Sequence, residues 1–189
     1  HSMSSILKVD QLQDSGGNSI ISSNGSGTFT PGSLNIANAQ IASNAAIATS
    51  KLGTGAVLQV VQQGQTTGYA SSSTSFSDVI SKAITPISSS STILVRFQTR
   101  VYMPTLGMEH EVKLLRDSTE LEVYRGAWHT GSGTTARREI WEYFDGSHGT
   151  TSSITYKFQQ RCGSTGSVQI NPNAAADGIY YLTLMEIAG

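Results

Sequence analysis

At 189 residues the chain has room for one domain of about 130 residues plus an extension, because single domains usually run about 100–150 residues. Charged residues make up 13%, against a usual figure of about 25%, and the net charge is −1, so no global field favours nucleic acid or an anionic membrane. No apolar run approaches the roughly 20 residues of a membrane span, and the single cysteine, Cys162, excludes an intrachain disulfide.

The N-terminus lacks the basic-then-apolar pattern of a secretory signal, and His1-Ser2-Met3 reads as a tag remnant before the native start. Two short apolar clusters follow, Ile6-Leu7-Val9 and Ile20-Ile21. They flank the turn residues Asp14-Ser15-Gly16-Gly17-Asn18, which predicts a small hairpin or an extended wrap. A lone hairpin is marginal in water, so this segment is expected to pack on neighbouring chains or on the rest of the particle.

Next comes a thin apolar stripe in a Ser/Asn/Ala-rich stretch. Leu34, Ala37, Ile41, Ala45, Ala48 and Leu52 follow one another in steps of 3, 4, 4, 3 and 4, which places them on one face of a helix. Ser33 fits an N-cap, and Gly53 stands where a C-cap glycine belongs. The stripe repeats after 11 residues, the period of a nearly straight or slightly right-handed bundle. Such a narrow stripe makes no core alone; copies of the chain can bury it as an oligomer seam. Two alternatives are an irregular wound stalk built on Ile36, Ile41 and Ile47, and a flexible Ala/Ser linker.

From Ala56 the period changes to two. Strands are predicted at residues 57–63, 66–71, 74–79, 92–102, 110–116, 120–128, 137–144, 152–161, 167–171 and 179–187. In the clearest, Ile93, Val95, Phe97, Thr99 and Val101 form one face and Leu94, Arg96, Gln98, Arg100 and Tyr102 the other. Ile154, Tyr156 and Phe158 share a face in another. Many short strands separated by turn signals argue for a mainly β fold, an antiparallel sandwich of jelly-roll type. The expected organisation is an attachment segment over 1–32, a helical or extended trimeric stalk over 33–55, and a β-sandwich head over 56–189.

Three stretches carry a resemblance. SILKVDQLQDSGGNSIISSNGSGTFT (residues 5–30) resembles the N-terminal segment of virion structural and tail-fibre-like proteins of marine bacteriophages, including cyanophages. IANAQIASNAAIATSKL (36–52) resembles the linker of the same proteins, and the ending SITYKFQQRC…VQIN…YYLTLMEIAG resembles their C-terminal β-domain. The resemblance implies a homotrimeric appendage with a jelly-roll tip, assembled in the host cytoplasm into the virion. The implied partners are copies of the chain itself, other virion proteins through the N-terminal segment, and a host-cell surface glycan or protein.

No catalytic spacing stands out: there is no G-x-S-x-G, no H-E-x-x-H, no P-loop and no paired-Cys zinc pattern. Glu109-His110-Glu111 would put both carboxylates on one strand face and the imidazole on the other, against a shared metal site within one chain; a site on a threefold axis is the alternative. Glu139 and Glu142 resemble a glycosidase carboxylate pair only in composition. Arg137-Arg138 is too short a basic run for nucleic acid. Asp145-Gly146-Ser147-His148-Gly149 reads as a tight turn with Gly146 and Gly149 at positive φ, or as a ligand-contacting tip loop. Trp128-His129-Thr130-Gly131-Ser132-Gly133 is a second such loop, whose Trp either stacks on sugars or plugs the core. Trp128, His129, Asp145 and His148 are therefore the candidate ligand-binding residues, with no catalytic residue, cofactor or metal expected. The functional expectation is a non-enzymatic fibre or appendage tip for host attachment. The alternatives are an architectural capsid-decoration or tail-adaptor protein, and a glycan-degrading enzyme. Cys162 reads as a small buried hydrophobe.

Overall fold

The computed structural model describes residues 11–23, 25–26, 29–31, 51–104, 107–128, 133–163, 166–170 and 179–189. The chain divides into two compact units, residues 1–47 and 48–189. The expected seam residues Leu34, Ala37, Ile41, Ala45 and Ala48 lie outside the described residues. Leu52, the last of the stripe, is 41% exposed.

In the first unit, β1 (Gln11–Gln13), β2 (Ser19–Ser23) and β3 (Phe29–Pro31) form an antiparallel sheet in that order. Its first hairpin is built by Asp14. The Asp14 carboxylate accepts the Gly16 and Asn18 backbone N–H groups at 2.8 and 2.9 Å, and Gly17 takes φ +80°. Asp14 thus closes the turn from its own side chain while glycine supplies the left-handed step.

The second unit holds β4 (Val57–Gln65), β5 (Tyr69–Ser71), β6 (Ser77–Ile84), β7 (Thr92–Met103), β8 (Glu109–Arg116), β9 (Thr119–Trp128), β10 (Thr135–Asp145), β11 (Ile154–Cys162), β12 (Val168–Ile170) and β13 (Tyr180–Ile187). One sheet carries β4-β13-β7, with β10 on the other side of β7 and the short β12-β5 pair alongside. The second sheet runs β6-β11-β8-β9. Setting aside the short β5 and β12, the eight long strands are ordered 1-8-3-6 in one sheet and 2-7-4-5 in the other. This interleaving of antiparallel strands from both halves of the chain is the jelly-roll arrangement.

Each predicted strand segment is matched by an observed strand. The faces also agree. Ile93, Val95, Phe97, Thr99 and Val101 are buried on β7, as are Ile154, Tyr156 and Phe158 on β11. Strand β6 runs on to Ile84, past its expected end at Val79, because β11 pairs it as far as Ile154–Ile84.

Phe97 sits where the two sheets meet. Its ring stacks on Phe158 of the opposite sheet at 4.8 Å and on its cross-strand partner Trp141 at 5.5 Å, with Tyr180 edge-on at 6.2 Å. Burying side chains of this size contributes about 2–3 kcal/mol each, before the cost of ordering them. Cys162 is fully buried and reduced, as expected of a small hydrophobe. At the entrance to the head, Gly55 adopts φ +86° and its N–H donates to Ala188 O at 2.8 Å, joining the start of β4 to the end of β13. The left-handed glycine there is Gly55 rather than Gly53.

Candidate functional site

The four candidate ligand-binding residues separate into two groups. Trp128 ends β9 with its backbone paired to Glu109; its side chain and all of His129 lie outside the described residues. Asp145 and His148 are described, and both are buried, at 1% and 8% exposure. The picture of a tip loop offering these two groups to a ligand is corrected by that burial. Of the two glycines expected at positive φ in this loop, Gly149 takes it, at +60°, and Gly146 does not.

Asp145 closes β10 and faces inward, because position 145 continues the buried odd-numbered face begun by Trp141. Arg116 of the opposite sheet grips its carboxylate in a forked contact, Nη1 donating at 2.9 and 2.7 Å. The Tyr156 hydroxyl donates at 2.7 Å, and the Ser147 N–H and hydroxyl donate at 3.1 Å. Burial pushes the Asp145 carboxyl up. The Tyr156, Ser147 and Arg116 donors outweigh that, and it ends below the usual carboxylate range. The same burial, with Asp145 beside it, pushes the Tyr156 phenol up, so it stays a donor. The cluster ties β10 and its following turn to β8 and β11 of the other sheet.

His148 belongs to a second buried cluster. Its Nε2–H donates to Ser91 O at 2.8 Å, and its Nδ1 lies 3.2 Å from Thr150 O. The Ser91 hydroxyl lies 2.7 Å from both Ser88 O and Glu186 Oε1. Glu186, fully buried near the end of β13, also accepts the Ile87 N–H at 2.8 Å, the Ser88 N–H at 3.1 Å and the Gln59 amide at 2.6 Å. Burial raises the Glu186 carboxyl, but Gln59, Ile87, Ser91 and Ser88 together lower it below its ordinary value. Serine, histidine and a carboxylate thus meet in space. Ser91 is fully buried and its hydroxyl proton is directed at Glu186 and a carbonyl, so the group ties loops to β13 rather than activating a nucleophile.

The carboxylates weighed as an acid/base pair do not converge. Glu139 lies on the inner face of β10 with Arg137 at 2.5 Å, and Glu142 on the outer face with Arg96 at 3.4 Å. A spacing of three residues on a strand places side chains on opposite faces. His110 and Glu111 also divide as expected: His110 points into the core beside Trp141, and Glu111 meets Arg161 on the outer side at 2.5 Å. Among the described residues no group of three His, Cys, Asp or Glu could hold a metal. An open recess of about 360 Å³ lies between β4 and β6, lined by Gln63, Gln65 and Asp78 among others. Its one carboxylate is engaged by Lys157 at 2.8 Å and by Gln159 at 2.7 Å.

Sequence reasoning missed the Glu186 cluster. Its donors lie about a hundred residues away along the chain, and no local signal marks them.

No family model matches the chain, and no curated protein does. Among solved structures it is similar to proteins of infectious bursal disease virus. The Gt strain structure is 12% identical with a TM-score of 0.40, covering 69% of this chain and 38% of that one. The D431N mutant VP2 protein in T=1 particles is 15% identical with a TM-score of 0.40, over 69% and 36%. The VP2 subviral particle is 14% identical, again at 0.40, over 69% and 38%. The chain therefore spans less than two fifths of the length of the structures it matches.

Proposed function

We propose that this chain is a structural protein of a phage particle: a homotrimeric fibre or appendage whose head contacts the host surface without turnover. One observation carries this reading, the unlike character of the two units. The first holds a sheet with strands of three, five and three residues, on which Leu12, Ile20 and Ile21 are 50%, 46% and 37% exposed. A sheet this small, with its apolar side chains in water, depends on another surface for stability. The second unit has a core of its own, centred on Phe97. A head that holds itself together, carried on a segment that needs a partner, suits an appendage anchored by its N-terminal part. The phage-like segments at residues 5–30 and 36–52 support the same assignment. The jelly roll itself serves many functions and adds nothing decisive.

Electron microscopy of virions labelled with an antibody to this chain tests the reading, with label expected at a fixed position on the particle. Light scattering of the full chain should give about three times the monomer mass. Purified protein should adsorb to susceptible cells and compete with phage. Unlabelled virions would sink the proposal. The burial of Asp145 and His148 favours one competing reading, a purely architectural protein, since two of the four groups offered for host contact face inward. Absent adsorption, combined with damaged particles when the chain is deleted, would select it. Release of reducing sugar from host polysaccharide would overturn binding without turnover.

A further inference from the structure

Strands β4 and β6 each stand at the end of their own sheet, β4 paired to β13 and β6 to β11. The open recess of about 360 Å³ lies between them. Clefts that take small molecules run from roughly 300 to 1,000 Å³. The sequence breaks its own pattern at this recess. On β4, Val61 pairs with Leu184 and packs on the core. The next two positions on that face are Gln63 and Gln65, opposite the buried Leu182 and Tyr180. An alternating strand should carry apolar residues there, and a polar group at an inward position weakens a core unless it serves another end. Gln63 donates one amide N–H to Gly64 O at 2.9 Å, and the Gln65 side chain bonds to no other described residue.

Strand β6 is irregular at the same place. Ile80 pairs with Phe158 and Asp78 with Gln159, so Val79 is an extra residue, a bulge. A bulge in an edge strand re-aims side chains and stops a further strand from adding. Asp78, Val79 and Ile80 line the recess across from the two glutamines.

The chemistry of the wall selects the ligand. Asp78 is the charged group among the described lining residues. Lys157 holds its Oδ2 at 2.8 Å and Gln159 its Oδ1 at 2.7 Å. The carboxylate turns anions away, and its pairing with Lys157 leaves no net charge to draw a cation. Each carboxylate oxygen keeps a lone pair for a hydroxyl, and a glutamine amide sets a donor beside an acceptor, the match for two neighbouring hydroxyls. Val79 adds apolar surface for C–H groups. A polypeptide laid along this edge would need an unbroken ladder, which the bulge denies it. We propose that the recess between β4 and β6 binds a neutral sugar ring of a host-surface glycan, with Gln63, Gln65 and Asp78 bonding its hydroxyls. This rests on the host contact in the function proposed above and names the site and the ligand class.

Saturation-transfer NMR on the full chain tests the site, with the methyl glycosides of glucose, galactose and mannose as probes and glucuronate and glucosamine as charged counterparts. At least one neutral glycoside should receive saturation, and the charged sugars should not. The double variant Gln63→Ala with Gln65→Ala should weaken that binding about tenfold, with an unchanged circular dichroism spectrum. Gln62→Ala, on the outer face of the same strand, should leave it unchanged. No saturation of any neutral glycoside, a stronger signal from a charged sugar, or equal binding by the double variant would overturn the site. The double variant should also adsorb less to susceptible cells; undiminished adsorption would overturn the recess as the place of host contact and leave host contact standing. Adsorption abolished by protease treatment of the cells but not by periodate, which cleaves vicinal diols, would point to a protein ligand and overturn the sugar. Wild-type protein that binds a glycoside through these glutamines yet adsorbs to no cell would remove the host-contact reading and leave the recess a sugar site.

Discussion

His110 shows how one side chain can set a pH limit. It is fully buried on β8, with Nε2 3.0 Å from Gln160 Oε1 and Nδ1 without a partner among the described residues. The neutral ring donates from Nε2, and a bare lone pair at Nδ1 costs less than a buried unpaired N–H would. Burial, the largest influence, and the positive Arg137 lower its pKa from 6.5 to about 4, although the Gln160 contact raises it. The unfolded chain takes up a proton near pH 6.5 that the folded chain refuses until about 4, so stability is full above 6.5 and falls between these values. The shift corresponds to about 3 kcal/mol at the acid end. Urea unfolding at pH 7.5 and pH 4.5 should show this loss, and His110→Gln should flatten the slope over that window. An unchanged slope in the variant would exclude His110 as its source. Asp145 acts in the same direction but in a more acid window: its carboxyl is lowered, so its contribution is present above the ordinary carboxylate range and lost as pH falls through the folded value. Asp145→Ala strands Arg116 and the Tyr156 hydroxyl inside the sandwich. It should cost about 3 kcal/mol at neutral pH, measured by denaturant unfolding.

At the scale of elements, the strands and their faces were legible and the polar interior was not. Period two is a local property, so residues 92–102 announced both faces of β7 without reference to anything else. Burial of Asp145 and His148 was invisible because Gly-Ser-His-Gly reads as an exposed turn. The groups that bury it, Arg116 and Ser91, arrive from β8 and from the approach to β7. Glu186 was legible only as part of a strand, although it organises the β6–β7 connection by accepting the Ile87 and Ser88 N–H groups. Glu186→Gln puts an amide NH₂ against those donors. It should cost about 2 kcal/mol and speed hydrogen exchange at Ile87 and Ser88 more than at core amides of β7. Equal acceleration everywhere would show that Glu186 does not act on that loop. The carboxyl is lowered, so this stabilisation stands above its unfolded value near 4.5 and disappears as pH falls through the folded one. The thin stripe of residues 34–52 was equally legible as a pattern, but all of it except Lys51 and Leu52 lies outside the described residues.

The whole head depends on Phe97, which touches aromatic rings from both sheets, so Phe97→Ala should cost about 3–5 kcal/mol in thermal or denaturant unfolding. A loss below about 1 kcal/mol would mean that the two sheets do not share one core. The position of β13 has a different consequence, one of timing. This strand lies between β4 and β7, yet among the described strands it is made after both of them and after all the others. Until it arrives, β4 and β7 each present an unpaired edge, with the Leu182 and Leu184 sites in the core empty. Folding should therefore be slow, because the closing contacts join residues more than a hundred apart, such as Gln59 with Glu186. A chain stopped before Ile179 should aggregate. A synthetic peptide of residues 179–189 supplied during refolding should enter the open slot and keep the shortened chain in solution, as a donated strand does for an incomplete sheet.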